Sequence, residues 1–172
     1  MFSFSPRKRR VDIESCMRRI CDRTTPNYPL PVSNQHRQEQ RYNRTIPVLL
    51  GPWRDHRVAL DECTWGVTKD ICDRGVGVVL NQPFRAESAV IGFWLPPDIM
   101  SEPWFFLGET QGLGQIGGGF WLLGIELVEL ANHHHQDKFE ALRPLAAQLL
   151  PDVASARQSE SLPELSLGHS LA

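Results

Sequence analysis

Between Thr45 and Leu130 the chain holds six short apolar runs and no stretch with helical spacing. The runs are "TIPVLL", "TWGVTKDI", "GVGVVL", "SAVIGFWL", "PWFFLGET" and "GFWLLGIELVEL". Each is rich in Val, Ile, Phe or Trp, whose branched and aromatic side chains fit a pleated, half-buried surface. Gly, Pro, Asp or Asn bounds each run, which is the punctuation of strands joined by tight turns. Six strands at such short spacing predict a mainly β fold, a sandwich or a small antiparallel barrel.

The pattern changes at both ends. In "HHHQDKFEALRPLAAQLLP" (133–151) Phe139, Leu142, Leu145 and Leu149 fall on one helical stripe, with Pro144 expected to kink the helix or split it in two. After Pro151 a Ser- and Glu-rich tail is expected to be disordered. Residues 1–33 read as a flexible extension: "VDIESCMRRICDR" (11–23) is compatible with a short helix having Val11, Met17 and Ile20 on one side, and "TTPNYPLPVSN" (24–34) reads as a linker. The expected organisation is therefore a basic extension over 1–33, a barrel with its C-terminal helix over 34–150, and a tail over 151–172.

The net charge of −2 is unevenly divided. Residues 1–97 carry 15 Lys/Arg against 10 Asp/Glu (+5), and residues 98–172 carry 3 against 10 (−7). A basic first half suits an anionic partner. No apolar run is long enough to cross a bilayer as a helix, so no membrane insertion is expected. The start, "MFSFSPRKRR", lacks the apolar core of a secretory leader. Cys16, Cys21, Cys63 and Cys72 form no C-x-x-C pair, so reduced thiols in a cytoplasmic chain, without a zinc site, are expected.

Several motifs invite chemistry and fail on their context. "GLGQIG" (112–117) matches the dinucleotide fingerprint, but "GGFWLLGIELVEL" follows it where a helix should open, so a flexible hairpin loop is expected instead. His133, His134 and His135 are consecutive, and neighbouring side chains point apart on a helix or a strand, so they do not converge on one ion. Cys72 beside Asp73 is a poor nucleophile, because a carboxylate raises a thiol pKa. "PRKRR" (6–10) is a basic cluster without interleaved aromatics, which is poor evidence for nucleic acid. Nothing argues for catalysis.

Arg37 and Arg41 stand in polar sequence, "RQEQR", just before the first run. Guanidinium groups pair bidentately with phosphate or with the O6/N7 edge of guanine. Asp70, in the turn "DICDRG", is an acceptor suited to guanine N1–H and its 2-amino group. Gly75 permits positive φ and a close approach of backbone to ligand. R-x-x-x-R before the first strand followed by D/N-x-S-x-x-G in a strand turn resembles the signature of the PilZ domain family. "RQEQRYNRTIPVLL" and "KDICDRGVGVVL" carry the two motifs, and "GFWLLGIELVEL" resembles the family's last strand.

The resemblance covers roughly residues 34–150 and implies a six-stranded antiparallel β-barrel with a helix after it. It also implies a non-enzymatic receptor for the bacterial second messenger cyclic di-GMP. By position, Arg37 and Arg41 would contact phosphates and guanine edges, and Asp70, Cys72 and Gly75 would hold the other side of a base. Arg44 and Arg74 would be secondary contributors, and no cofactor or metal is implied. The arginine segment would fold across the barrel with ligand and present a changed surface to an effector protein. The alternative within the family is a protein-interaction scaffold that does not bind the messenger. One position departs from the motif: residue 72 is cysteine where serine is expected. Losing one hydrogen bond to a charged group costs about 1.5–3 kcal/mol, or roughly ten- to a hundredfold in affinity.

Overall fold

All six apolar runs become strands of one antiparallel sheet. The computed structural model describes residues 6–24, 40–95, 103–132 and 139–149. Its strands are β1 (Tyr42–Asn43), β2 (Pro47–Arg54), β3 (Arg57–Val58), β4 (Thr64–Cys72), β5 (Gly75–Leu80), β6 (Ser88–Phe93), β7 (Trp104–Gly117) and β8 (Phe120–Leu130). The order β4-β5-β8-β7-β6-β2 closes on itself, because β2 also pairs with β4, Pro47 opposite Val67 and Leu50 opposite Thr64. Closure leaves the six long strands with no open sheet edge along the barrel wall. The result is the six-stranded antiparallel barrel that the motifs imply. β1 and β3 are two-residue additions to β4 and β2.

Two apolar cores lie on opposite sides of the barrel wall. Val48, Leu50, Ile71, Val78, Phe93 and Phe106 fill the interior. On the outside, Leu49, Val90, Phe105 and Leu107 pack against Phe139, Leu142 and Ala146. Strands β2 and β6 are therefore buried on both faces, which is why "PVLLGPW" and "SAVIGF" read as continuous apolar runs instead of alternating ones. Leu142–Leu149 forms helix α2. Pro144 falls in its first turn, where a backbone N–H has no intrahelical acceptor to lose, and a turn at 140–141 splits this helix from the helical Phe139, as the sequence led one to expect. No helix among the described residues is long and apolar enough to cross a membrane.

The extension departs most from expectation. Pro6–Arg23 forms an 18-residue helix, α1, and its Ile13, Met17 and Ile20 join the barrel's interior core. The described part of the extension is thus a fixed, packed element. Spacings of four and three put these residues on one stripe, whereas Val11, expected there, is 58% exposed. Arg9 reaches Glu129 of β8 at 3.5 Å, and Arg10 pairs with Glu14 one turn on at 2.7 Å. Two arginines of the basic cluster, Arg9 and Arg10, are thus engaged with the chain's own carboxylates.

"GLGQIG" is also corrected: it is strand, the outer half of β7, paired with β8 from Gly112–Gly124 to Gly117–Phe120. The hairpin turns at Gly117, Gly118 and Gly119, with φ of 96°, 60° and 82°, a left-handed conformation that glycine adopts at little cost. A strand there presents no helix N-terminus, so this glycine motif does not form the Rossmann-type pyrophosphate site. His133–His135 and the tail from 150 onward lie outside the described residues.

Candidate functional site

The outer faces of β4, β5 and β8 are not covered by α2, and the candidate residues gather there. Register explains how Asp70 reaches that face. Thr64, Gly66 and Thr68 of β4 point inward, opposite or beside core positions. Strict alternation would put Asp70 inside and Ile71 outside. A β-bulge between Thr68 and Asp70 inserts Lys69 and resets the parity. Asp70 then stands opposite Gly77 on the outer face, and Ile71 stands opposite Val76 in the core.

Arg41 donates from Nη1 to Asp70 Oδ1 at 2.8 Å, joining residues 29 apart in sequence. Asp70 is 5% exposed despite facing outward, because Arg41 and β1 lie beside it. β1 aligns Tyr42 with Ile71 and Asn43 with Asp70. Thr68 then fixes the path into β2: its hydroxyl donates to the Arg44 carbonyl and accepts from the Ile46 amide at 2.9 Å. The two motifs are brought together by backbone pairing. Arg37 lies outside the described residues.

The β4–β5 turn is Asp73–Arg74, closed by Cys72 opposite Gly75. Gly75 does not adopt positive φ; positive-φ glycines among the described residues are Gly117, Gly118 and Gly119. Its value is space, since a Cβ there would sit 3.2 Å from Cys72 Sγ and 3.3 Å from the Ile125 carbonyl. Gly77, which sequence reasoning passed over, has the same role for Asp70: a Cβ would lie 3.0 Å from Oδ1. Its signal was the second glycine of "RGVG", two residues past the motif. Cys72 is buried on the outer side of the turn. The turn's backbone is held by the Leu127 amide, which donates to the Arg74 carbonyl at 2.7 Å. Arg74 Nη1 lies 3.9 Å from Glu126.

Arg44 has other partners than a ligand. Its Nε and Nη2 donate to the Cys21 carbonyl at 3.3 and 3.1 Å, and its Nη1 to the Asn43 carbonyl at 3.0 Å. The guanidinium also lies 5.8 Å from the Tyr42 ring centroid. Arg44 therefore satisfies a carbonyl in the last turn of α1 and ties the helix to β1. Arg18, also unremarked from sequence, joins α1 to the turn at Asp73 Oδ2, 3.3 Å away.

None of Cys16, Cys21, Cys63 and Cys72 forms a disulfide. Burial pushes Cys16, Cys21 and Cys63 each up to about 11, against the ordinary 9.0. A thiol whose folded pKa is raised keeps its proton in the native state while the unfolded chain ionises. Stability from these groups is whole below about pH 9 and is lost as pH rises toward 11. The melting temperature should fall across that window, and Cys21→Ala should flatten the fall. An iodoacetamide time course at pH 8 should leave Cys21 unmodified in native protein and label it once guanidinium is added. Rapid native labelling of Cys21 would contradict its burial.

Across the outer face, Asn43, Asp70, Gly77, Gly124 and Gly112 stand opposite one another on successive strands. Gly77 lies under the Asp70 carboxylate, and Gly124, one strand on, carries no side chain, so a flat ring can approach the sheet backbone there. Asp70 at one end offers an acceptor and Arg41 a planar cationic donor. That combination suits a base edge with a phosphate nearby and supplies neither a nucleophile nor a poised acid–base pair. Among the described residues, no group of three His, Cys, Asp or Glu side chains is placed to hold a metal ion.

No family model and no curated protein matches the chain. Among solved structures it is similar to the Bacillus subtilis inhibitor of motility MotI/DgrA, at 17% identity and a TM-score of 0.43, covering 67% of this chain and 53% of that one. It is similar to K. pneumonia MrkH in its apo state, at 13% identity and 0.40, covering 75% and 55%. It is also similar to the PilZ domain with c-di-GMP of YcgR from Escherichia coli, at 13% identity and 0.36, covering 66% and 97%. The match spans about half the length of the first two proteins, 53% and 55%.

Proposed function

We propose that this protein is a bacterial, cytoplasmic cyclic di-GMP receptor and adaptor without enzymatic activity. The observation that carries the reading is the 2.8 Å bond from Arg41 to Asp70, which unites the two motifs on the uncovered face of the barrel. Arg37 and Arg41 would take phosphate and guanine edges, and Asp70, Cys72 and Gly75 would line the other side of a base. The ligand's phosphates compete with Asp70 for Arg41, which frees the carboxylate to accept from a guanine. β1 holds the arm from Tyr42 onward, so the conformational change falls on the residues before it. The altered surface of arm and barrel is what an effector protein would read.

Isothermal titration of cyclic di-GMP into the full chain tests this. Arg41→Ala should weaken binding by about tenfold or more, from the roughly 1–3 kcal/mol of one bidentate arginine–guanine contact. Arg37→Ala/Arg41→Ala should abolish it, and Cys72→Ser should tighten it by about tenfold through the recovered hydroxyl bond. Absence of saturable binding by the wild type at high protein concentration would end the receptor reading. It would favour the messenger-independent scaffold, whose affinity for its protein partner the double substitution would leave unchanged.

A further inference from the structure

Arg18 sits on a piece of backbone that cannot drift, because its neighbour Met17 is fully buried in the barrel core. Its guanidinium reaches out to the β4–β5 turn and pairs through Nη2 with Asp73 Oδ2 at 3.3 Å. Arg41 pairs through Nη1 with Asp70 Oδ1 at 2.8 Å, on β4 three residues before Asp73. Two arginines from separate parts of the chain thus meet the two carboxylates of one motif, Asp70–Gly75.

Holding α1 in place is a poor explanation for the Arg18–Asp73 pair. The Arg18 side chain is 65% exposed and that of Asp73 is 35% exposed, and ion pairs so open to water contribute little to stability. Ile13, Met17, Ile20 and the Arg44 bonds to Cys21 already secure the helix. What the pair does provide is a guanidinium parked beside the ligand turn by one of its nitrogens. A guanidinium has five N–H donors in a planar fork, enough to take phosphate oxygens once the carboxylate yields.

We infer that Arg18 is a further anion-binding arginine of this site, and that Asp73 is the carboxylate its phosphate displaces. The inference rests on the cyclic di-GMP reading and gives that ligand's second phosphate a partner on α1. It also selects for a dianionic ligand: a mononucleotide with one phosphate group could engage Arg41 or Arg18 but would not span both. Ligand binding would then exchange the Arg18–Asp73 link for a link through phosphate.

The test uses the full chain, with cyclic di-GMP as the probe and GMP as the single-phosphate control. Titrations of wild type, Arg41→Ala, Arg18→Ala, Arg18→Lys and Asp73→Asn are run at two salt concentrations beside thermal melts. Arg18→Ala should lose about ten- to a hundredfold in affinity, the worth of one charge-assisted contact, with an unchanged melting temperature and a shallower salt dependence. Arg18→Lys should recover part of the loss, and GMP should bind far more weakly and indifferently to Arg18→Ala. Asp73→Asn should move the other way and tighten binding severalfold, because a competitor is removed. A mere structural clasp would make Arg18→Ala and Asp73→Asn alike in sign, each with a matching loss of melting temperature, and that result would overturn the inference. Wild-type affinity in Arg18→Ala together with loss in Arg41→Ala would also overturn it while leaving the receptor reading intact. No binding by wild type would sink both.

Discussion

Met17→Ala is expected to destabilise the protein by about 2–5 kcal/mol, the range for emptying a buried methionine site. Met17 is 0% exposed and belongs to the interior core with Ile13 and Ile20. Against a typical total of about 5–15 kcal/mol this is a large share. The melting temperature should drop by roughly 2–4 °C for each kcal/mol lost. Val11→Ala, on the exposed side of the same helix, should stay within about 0.5 kcal/mol. The contrast between the two variants is the measurement. Equal, small effects would mean that α1 is no part of the core. Removing residues 1–24 should accordingly unfold the barrel, so such a truncation cannot serve as a neutral probe of the basic cluster at 6–10.

Gly77→Val should damage the candidate site and Gly112→Val should not, although the two glycines stand in one lane across the sheet. A Cβ at Gly77 would lie 3.0 Å from Asp70 Oδ1 and 3.4 Å from its Cγ. The carboxylate must rotate away, and the 2.8 Å bond from Arg41 goes with it. Overpacking of this kind costs about 1–3 kcal/mol, and the displaced acceptor should lower affinity for cyclic di-GMP by at least tenfold. At Gly112 a Cβ would meet nothing within 4 Å, and a β-branched residue suits a strand. Stability there should hold or rise slightly. Thermal melts with ligand titrations read both effects. Wild-type affinity in Gly77→Val would remove Asp70 from the site.

The strands were legible because Val, Ile and Phe cluster in short runs wherever the wall is buried. The outer half of β7 was not, since Gly112, Gly114 and Gly117 carry no side chain to signal a strand; its pairing with β8 alone makes it one. The role of α1 was hidden for another reason. Its buried stripe of Ile13, Met17 and Ile20 is narrow and set among arginines, so its mate, the barrel interior, had to be known first. Motif spacing singled out Asp70 as a candidate, and the bulge at Lys69 that aims it outward leaves no mark in the alternation. Arg44 shows another limit: spacing offered it as a secondary ligand contact, and its bond to the Cys21 carbonyl leaves no mark in the sequence.

Arg44 bonded to Cys21 has one more consequence. It brings the end of α1 next to the start of β1, so the two residues that flank the segment 25–39 are fixed at neighbouring points. Arg37 is three positions before Gln40, so covalent geometry alone keeps its Cα within about 11 Å of that residue. A side chain confined to so small a volume acts at a high effective concentration. Inserting residues between Arg37 and Gln40 would enlarge that volume and lower the concentration.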